Sequence, residues 1–343
     1  TPTNTYSRNN FTFKQSTKLF NDKLTLSSNT MLSAERSKNR MPAGYYLNPL
    51  TGLYMFPRER DFETLKQNYQ VFDPTRNLYA MNWFVTDHHQ SNPYWIINRE
   101  PRKDMTNRVI SSVDLRYAFT EAVSFSFRVN IDYANKTFDQ QHSATSNTTN
   151  VHPNGSWQYH KYTDQLTYTD AILKYTKKAG SFDFNVVAGT SYQKTVYGDG
   201  VQVEGDAGNG LFYPNEFHFG NLQTNVRVKS TMSSRLIKQA VFANATIGFK
   251  ELLYLDISGR NDWASSLAGT GNDSYFYPSV GMTGIISEMI TMPTFLSFAK
   301  VRASYSSVGN EVPFNLVDPG HEILASGSVK RNTKAAFATL KPE

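Results

Sequence analysis

The sequence predicts an all-β fold, an antiparallel transmembrane β-barrel segment of about ten strands. Three observations lead to this prediction. Apolar and polar residues alternate with a period of two over many segments, as in strands with one apolar and one polar face. The connections between these segments alternate between short and long. Aromatic residues make up 14% of the 343 residues, although the mean hydropathy is only −0.50.

The composition favours membrane strands over a helical or nucleic-acid-binding protein. The 20 Tyr and 23 Phe residues occur beside many Ser, Thr, Asn and Gln residues, a mixture that suits half-apolar strands. No run of 18 apolar residues is present, so a membrane protein of this composition has to be a barrel. The net charge of +6 is scattered without a basic block, so we expect no nucleic-acid partner. The lack of cysteine excludes disulfides and thiolate metal sites.

The segment from Val123 to Tyr133 gives the clearest strand prediction. Every odd position in it is apolar and every even position is polar, so the two sets lie on opposite faces of a strand. Its 11 residues match the roughly 9–11 residues that a tilted strand needs to cross a bilayer. We therefore predict that the odd set faces lipid and that Arg116, Arg128 and Asp132 face a polar lumen.

The same period predicts further strands along the chain. The predicted pairs are 109–119 with 123–133, 11–19 with 24–34, 166–175 with 182–192, and 241–249 with 253–257, followed by strands at 277–286 and 299–305. A short helix is expected around 289–296. Tight turns between paired strands make these neighbours antiparallel.

The lengths of the connections predict which end of the barrel is which. The short connections are 20–23, 120–122, 177–180 and 250–252, and the long polar ones are 37–104, 134–163, 197–236, 259–275 and 309 onward. Outer-membrane barrels have short periplasmic turns and long extracellular loops. Aromatic residues such as Tyr117, Tyr133 and Tyr192 end the apolar faces, as in aromatic girdles, although such residues favour strands in general.

Several short motifs stand in a distinctive order. They are Asn-Pro-Leu at 48–50 with Phe-Pro-Arg at 56–58, Asn-Pro-Tyr-Trp-Ile-Ile-Asn-Arg at 92–99, the stretch 254–266, Tyr-Pro-Ser-Val-Gly at 277–281, Ile-Ser-Glu at 286–288, the stretch 298–310, and Leu-Lys-Pro-Glu at 340–343. In this order they resemble segments of the SusC/RagA family of TonB-linked outer-membrane transporters. The residues at 259–264 depart from the family's usual charged pair and glycine, which changes the expected detail of that loop and leaves the strand intact.

The resemblance implies that residues 1–343 are part of a single TonB-dependent receptor β-barrel domain. Barrels of this type close at about 22 strands around a plugged lumen. The sequence shows no signal peptide, plug domain, TonB-contacting segment or final strand ending in an aromatic residue. We therefore expect the N-terminal region, the plug and the C-terminal strands to be absent, and the strand edges to be open.

The resemblance also implies a function. It is energy-coupled uptake of a nutrient, a glycan or oligosaccharide or a peptide, across the outer membrane of a Gram-negative, Bacteroidetes-like bacterium. The implied partners are a SusD-like surface lipoprotein over the long loops and the TonB system acting through the plug. No cofactor and no enzymatic activity are implied.

Two other functions stay open from the residues alone. One is a secreted soluble all-β adhesin or lectin-like binding protein, which would fold without lipid. The other is a passive diffusion porin, which needs neither plug nor lipoprotein.

Metal binding is not expected. Adjacent residues of Asp87-His88-His89 would point to opposite faces of a strand, and a metal needs convergent ligands. The acidic loop at 198–210 does not have the spacing of a calcium-binding EF-hand.

Catalysis is not expected either. Glu100 and Asp104 form an acidic pair of the kind that glycosidases use, but nothing in the sequence places them at a shared bond. No nucleophile elbow, phosphate-binding loop or zinc motif is present.

Aromatic residues in the long loops and at strand ends are the candidate ligand-binding residues: Trp83, Tyr94, Trp95, Trp157, Tyr159 and Trp263. A sugar ring packs its apolar face on an aromatic plane, so such rings suit a glycan. The alternative is that these rings anchor the loops to one another or to a partner protein.

Overall fold

The computed structural model describes residues 2–42, 44–85, 90–231, 234–293, 295–309, 312–313, 316–317, 320–323, 328–333, 335, 337 and 339–341. The strands are β1 Thr5–Leu19, β2 Leu24–Lys38, β3 Gln70–Asp73, β4 Leu78–Met81, β5 Arg102–Ala118, β6 Val123–Ser143, β7 Gly155–Ala179, β8 Phe182–Glu204, β9 Arg227–Thr231, β10 Ser234–Phe249, β11 Leu253–Ala264, β12 Ser274–Ile285, β13 Lys300–Ser306, β14 Glu322–Ile323 and β15 Val329–Lys330. The α-helices are α1 Pro49–Tyr54, α2 Phe62–Gln67, α3 Pro93–Arg99 and α4 Ile286–Met289, with 3-10 turns at Phe219–Asn221 and Ser265–Leu267.

One large antiparallel sheet dominates the fold. Ten of its eleven strands lie side by side in the order β1-β2-β5-β6-β7-β8-β10-β11-β12-β13, and β9 pairs with the outer part of β8. Each long strand thus neighbours the next long strand along the chain, which confirms the predicted series of hairpins. Among the described residues, no strand pairs with the free side of β1 or β13. The pairs β3–β4 and β14–β15 form separate small sheets.

The pairing registers fix which residues share a face of the sheet. Phe127 lies opposite Leu115 on β5 and Ala171 on β7, whereas Arg128 lies opposite Asp114 and Asp170. Because directly opposed residues point to the same side of a sheet, one face is apolar and the other charged. The two faces predicted from the alternation at 123–133 are confirmed.

The strands extend further than the alternation predicts. β6, β7 and β8 contain 21, 25 and 23 residues, so the predicted loops 134–163 and 197–236 are too long and shorten to 144–154 and 205–226. The predicted 37–104 and 259–275 connections lose residues to strands in the same way. The added residues mix polar side chains with apolar ones such as Trp157 and Val203, so backbone pairing continues where no long period of two is visible.

Other predicted boundaries differ less. The helix expected around 289–296 is instead the single turn α4, which directly follows β12. None of the described helices combines the length and apolarity that crossing a membrane requires. The short turns that join β1 to β2, β5 to β6, β7 to β8 and β10 to β11 all lie at one end of the sheet, which we name the turn end. The opposite end is the loop end.

Burial is concentrated at the loop end. The described residues of 39–101, 144–154 and 205–226 form one interlocked body, which we name the loop cap. The buried hydrophobic side chains Trp95, Val151 and Leu211 all belong to it. Between the two ends, apolar residues of the outer face such as Phe127 and Val241 stay exposed, whereas Asp170 and Ala240 on the inner face are buried. Exposed apolar side chains are expected on the side of a barrel wall that faces lipid.

Candidate functional site on the inner face and the loop cap

The charged face of the sheet carries a row of ion pairs, and we name it the inner face. Arg128 Nη2 lies 2.6 Å from Asp170 Oδ2, and Lys136 Nζ lies 2.7 Å from Asp164 Oδ2. Arg108 on β5 forms a bidentate ion pair with Asp132 on β6. Each pair joins neighbouring strands, so the row ties β5, β6 and β7 together across the face.

A pocket lies on the inner face where β7, β8, β10, β11 and β12 run side by side. Its lining combines aromatic, charged and amide side chains, including Tyr168, Gln193, Lys238, Arg260, Asp262 and Tyr277. Arg260 Nε donates to both carboxylate oxygens of Asp262, at 2.8 and 3.0 Å. Tyr277 Oη donates to the Gly309 carbonyl oxygen at 3.4 Å. We name this site the wall pocket.

A glycine lets an aromatic ring support the wall pocket from beneath. Gly189 on β8 lies opposite Phe242 on β10, and a Cβ atom at Gly189 would come within 2.7 Å of the Phe242 ring. One edge of the ring therefore lies directly over the glycine backbone. The guanidinium of Arg260 lies above the same ring, 5.5 Å from its centroid.

The first part of the loop cap is organised around Asn92 and Trp95. The Asn92 side chain accepts from the backbone N–H of Tyr94 at the start of α3, and it donates to the carbonyls of Leu65 and Asn82 at 3.2 and 2.9 Å. The Trp95 indole is 1% exposed and donates from Nε1 to Ser146 Oγ at 2.7 Å. These bonds join the 39–101 segment to the 144–154 loop.

Two of the predicted ligand-binding residues, Trp83 and Tyr94, lie in an aromatic cluster of the same segment. Trp83 packs 4.6 Å from Phe84 and 5.8 Å from Phe56, between ring centroids. Tyr94 packs on Phe62 at 6.0 Å. Both Trp83 and Tyr94 remain partly exposed.

Trp157 and Tyr159 lie in a second cluster, beside the 205–226 segment. Trp157 is buried against Val203 and Leu211 and donates from Nε1 to Asp139 Oδ1 at 2.9 Å. Tyr159 packs 5.2 Å from Trp157 and is half-buried. The ring of Phe219 completes the cluster, at 5.1 Å from Trp157.

Trp263 lies apart from both clusters and lines the edge of the wall pocket beside Gln239. It pairs with Gln239 and Ser274, and its register places it on the same face as Ile257, which is the outer, apolar face. It lies at the loop end of β11 and is 37% exposed. This is the position of an aromatic girdle residue. The six predicted rings therefore lie in three places, and ligand contact by them stays a prediction.

The acidic residues considered for metal binding or catalysis have protein partners. Glu100 caps α3 and lies 3.0 Å from His142 Nδ1, whereas Asp104 pairs with Arg102 at 3.2 Å. They do not converge on a common point. Among the residues that the structure describes, no group of three or more His, Asp or Glu side chains could hold a metal ion. Residues 87–89 lie outside the described residues.

The acidic segment 198–210, expected as a loop, is strand β8 up to Glu204 and a loop only from 205, and its acidic side chains have protein partners. Asp206 accepts from the backbone of Gly208 at 2.9 Å and from the side chain of Asn209 at 3.0 Å, so it closes a turn. Glu204 Oε1 lies 2.7 Å from His160 Nε2 on β7. This close contact, at the loop end of the sheet, lowers the pKa of Glu204.

Apart from Trp263 at its edge, sequence reasoning missed the wall pocket, and it missed the Glu100–His142 contact. Glu100 and His142 are 42 residues apart, so no local sequence pattern predicts that they are in contact. The wall pocket does leave a signal, because Arg260 and Asp262 fall on the polar positions of β11 and lie opposite Tyr277 and Tyr275 of β12. That signal becomes readable only once the register between the two strands is known.

Comparison with known proteins identifies the family. Residues 54–343 match the family model described as TonB dependent receptor-like, beta-barrel. The chain belongs to this family. TonB-dependent receptors are transporters of Gram-negative outer membranes and not enzymes. The recognition made from the sequence motifs is confirmed at this level.

Solved structures show the same fold as this TonB-dependent receptor barrel. The RagAB peptide transporter is 16% identical, with a TM-score of 0.71 over 99% of this chain and 37% of that chain. The RagAB peptide importer in its "closed-closed" state is 15% identical with a TM-score of 0.71, again over 99% and 37% of the two chains. The RagAB peptide importer in its "open-open" state is 16% identical with a TM-score of 0.65, over 90% of this chain and 33% of that chain.

The chain thus spans 37% of the length of the RagAB chain that it matches. No curated protein matches the chain. Since TonB-dependent receptor barrels have their short turns in the periplasm and their long loops outside, the turn end is periplasmic and the loop end extracellular.

Proposed function

We propose that this chain forms wall and extracellular loops of a TonB-dependent nutrient importer of the SusC/RagA kind, acting on a glycan or a peptide. The observation that carries the proposal is the antiparallel sheet with an apolar outer face and a charged inner face, which belongs to the TonB-dependent receptor family over residues 54–343. Ion pairs such as Arg128–Asp170 suit a hydrated lumen.

The same proposal assigns residues 1–343 to one barrel domain. The free sides of β1 and β13 pair with further strands of the same barrel, because an unpaired strand edge in a bilayer leaves backbone N–H and C=O groups without partners. A plug in the closed lumen transmits energy from the TonB system. The location is the outer membrane of a Bacteroidetes-like Gram-negative bacterium.

The loop cap offers a docking surface for a SusD-like lipoprotein. Large aromatic and apolar side chains on it face solvent: Tyr54 at 87% exposure, Tyr213 at 73%, and also Met55, Phe72, Tyr79 and Phe212. Aromatic residues and Met are enriched at protein interfaces. Such a partner closes the extracellular opening over the substrate.

The six aromatic residues of the loops have different roles in this proposal. Trp83, Tyr94 and Tyr159 are partly exposed, and they contact substrate at the inner edge of the loop cap. Trp95 and Trp157 are buried, and they contribute by fixing the loops that carry the other rings. Trp263 borders the wall pocket at the loop end of β11, where it also meets the lipid interface.

The test uses the complete transporter in its native outer membrane. Radiolabelled oligosaccharide and peptide pools are offered to energised cells, to cells treated with a protonophore and to cells lacking TonB. Uptake that requires the transporter, the proton gradient and TonB supports the proposal. Uptake that persists without energy and TonB would instead support a passive porin. Recovery of the protein as a soluble monomer outside the membrane would support a secreted binding protein.

Partner docking has its own test. The double variant Tyr54→Ala/Tyr213→Ala should lose co-purification of a surface lipoprotein, since these two side chains are among the most exposed of the loop cap. The matched control is Phe20→Ala, an equally exposed ring at the turn end, 71% exposed. Unchanged co-purification in the double variant would remove the loop cap as the docking surface.

A further inference from the structure

The geometry of the wall pocket points to a subsite for a carboxylate group of the transported substrate, with Arg260 as its principal ligand. The inference rests on the proposed import function and deepens it by naming a chemical group that the substrate carries. The carboxylate could be that of an acidic sugar or that of a peptide.

The arginine of the wall pocket favours an anion. Among the described residues that line the pocket, Lys238 and Arg260 are cations and Asp262 is the carboxylate. Asp262 is already engaged by Arg260 Nε. Among the described residues, the two Nη groups of Arg260 make no hydrogen bond. A guanidinium whose two Nη groups are open presents parallel N–H donors that match the two oxygens of a carboxylate.

The guanidinium of Arg260 is held in place before any ligand arrives. Asp262 fixes it at one edge, and the ring of Phe242 supports its flat face at 5.5 Å. Phe242 itself can lie there only because Gly189 has no side chain, since a Cβ would come within 2.7 Å of the ring. A side chain that is already ordered loses less entropy on binding, which strengthens the site.

The walls of the pocket suit the rest of such a substrate. Tyr275 and Tyr277 pack edge to face at 5.2 Å, and Tyr168 lines the opposite side with Gln193. Tyrosine rings pack on apolar C–H surface, and the amide of Gln193 can bind hydroxyl or peptide groups.

The level of the pocket on the barrel wall makes it reachable from outside. Arg260 and Asp262 lie in the extracellular half of β11, close to Trp263 and away from the periplasmic turn at 250–252. Arg260 is 47% exposed on its side chain. A solute entering past the loop cap therefore meets this pocket early on its way through the lumen.

The experiment measures binding of matched probes to the complete, detergent-purified transporter by calorimetry. The first pair is trigalacturonate and its methyl ester, and the second is tetra-alanine and its C-terminal amide. Within at least one pair we expect the carboxylate form to bind about tenfold more tightly, the effect of one charge-assisted, two-pronged contact. Arg260→Gln should abolish that preference. Arg260→Lys keeps the positive charge but cannot bind a carboxylate in a bidentate manner, so it should retain part of the preference.

The control is Arg116→Gln, which removes an inner-face arginine outside the wall pocket and should leave the preference unchanged. Preference for trigalacturonate alone identifies an acidic glycan as the source, and preference for tetra-alanine alone identifies a peptide. Equal binding of both members of both pairs, or no binding of any probe, overturns the inference. So does a folded Arg260→Gln protein that keeps the preference. Energy-dependent uptake of uncharged substrates in that case would leave the import function standing.

Discussion

Arg128 on β6 reaches across to Asp170 on β7, where its Nη2 lies 2.6 Å from a carboxylate whose side chain is only 2% exposed. Arg128 is 45% exposed. The pair therefore joins an accessible guanidinium to an almost inaccessible carboxylate. Asp114 on β5 lies 4.0 Å from the same arginine, so one cation links three neighbouring strands.

Arg128→Gln should destabilise the barrel. It leaves Asp170 as a buried carboxylate without its cation, and removing one partner of such a pair costs more than removing both. Because Arg128 is half-exposed, we expect a loss of about 1–3 kcal/mol in the free energy of unfolding, below the full cost of a buried pair. Urea unfolding of the complete protein in lipid vesicles measures it.

The double variant Arg128→Gln/Asp170→Asn distinguishes this explanation from a loss of packing. It should recover much of the lost stability, because the uncompensated charge is gone. The matched control is Lys178→Gln, which breaks an exposed pair with Glu251 at the turn end and should change little. A double variant as unstable as Arg128→Gln would contradict the charge argument.

Phe127→Arg tests the outer face. Phe127 is 39% exposed on the apolar side of β6, and a cation facing lipid near the middle of a bilayer costs about 2–4 kcal/mol. The nearby Asn130→Arg places the same side chain on the inner face, opposite Ser112 and Tyr168, and should be tolerated. Vesicle folding and urea titration compare the two. Equal stability of both variants would remove the assignment of the faces.

Trp95→Phe should loosen the loop cap without disturbing the sheet. The substitution deletes the Nε1 donor to Ser146 Oγ and shrinks a side chain that is 1% exposed. A lost buried hydrogen bond together with a small void costs about 1–3 kcal/mol. Limited proteolysis within 39–101 should become faster, whereas cleavage at the turn end should not. Tyr54→Phe, at an exposed position of the same segment, is the control.

The Glu204–His160 contact should make the extracellular part of β7 and β8 sensitive to acid. The close contact with His160 lowers the pKa of Glu204 from its ordinary 4.5. The contribution of Glu204 to the free energy of unfolding is therefore fully present above its ordinary pKa of 4.5. That contribution is lost as the pH falls through the lowered pKa that Glu204 has in the folded protein. Hydrogen exchange at 155–163 and 199–204, compared at each pH with Glu204→Gln, measures it. Identical pH dependence in both proteins would exclude Glu204 as the cause.

The membrane part of the fold could be predicted from sequence because lipid imposes a rule on each residue. Along 123–133 every second side chain has to be apolar, and that constraint is visible without any partner strand. Beyond Tyr133 the strand continues for ten more residues to Ser143, but both faces there meet water or protein. No alternation is required, so the extensions were predicted as loops.

The sites were less predictable because they depend on pairs far apart in the chain. Aromatic residues could be selected from sequence, but burial divides them, with Trp95 inside the loop cap and Trp263 on the outer face. Arg260 gains its significance from Gly189, 71 positions earlier, through the ring of Phe242. Only the registers of β8, β10 and β11 bring the three together.

The length of β7 has a consequence for how a solute first meets the cell. Its 25 residues extend roughly 80 Å at about 3.3 Å per residue. With the strand inclined at about 40°, that length rises roughly 60 Å, against an apolar band about 25 Å tall. Much of the strand therefore stands clear of the bilayer as a protein collar. Under the proposed import function, a solute therefore meets the rim of that collar well before it reaches the lipid headgroups.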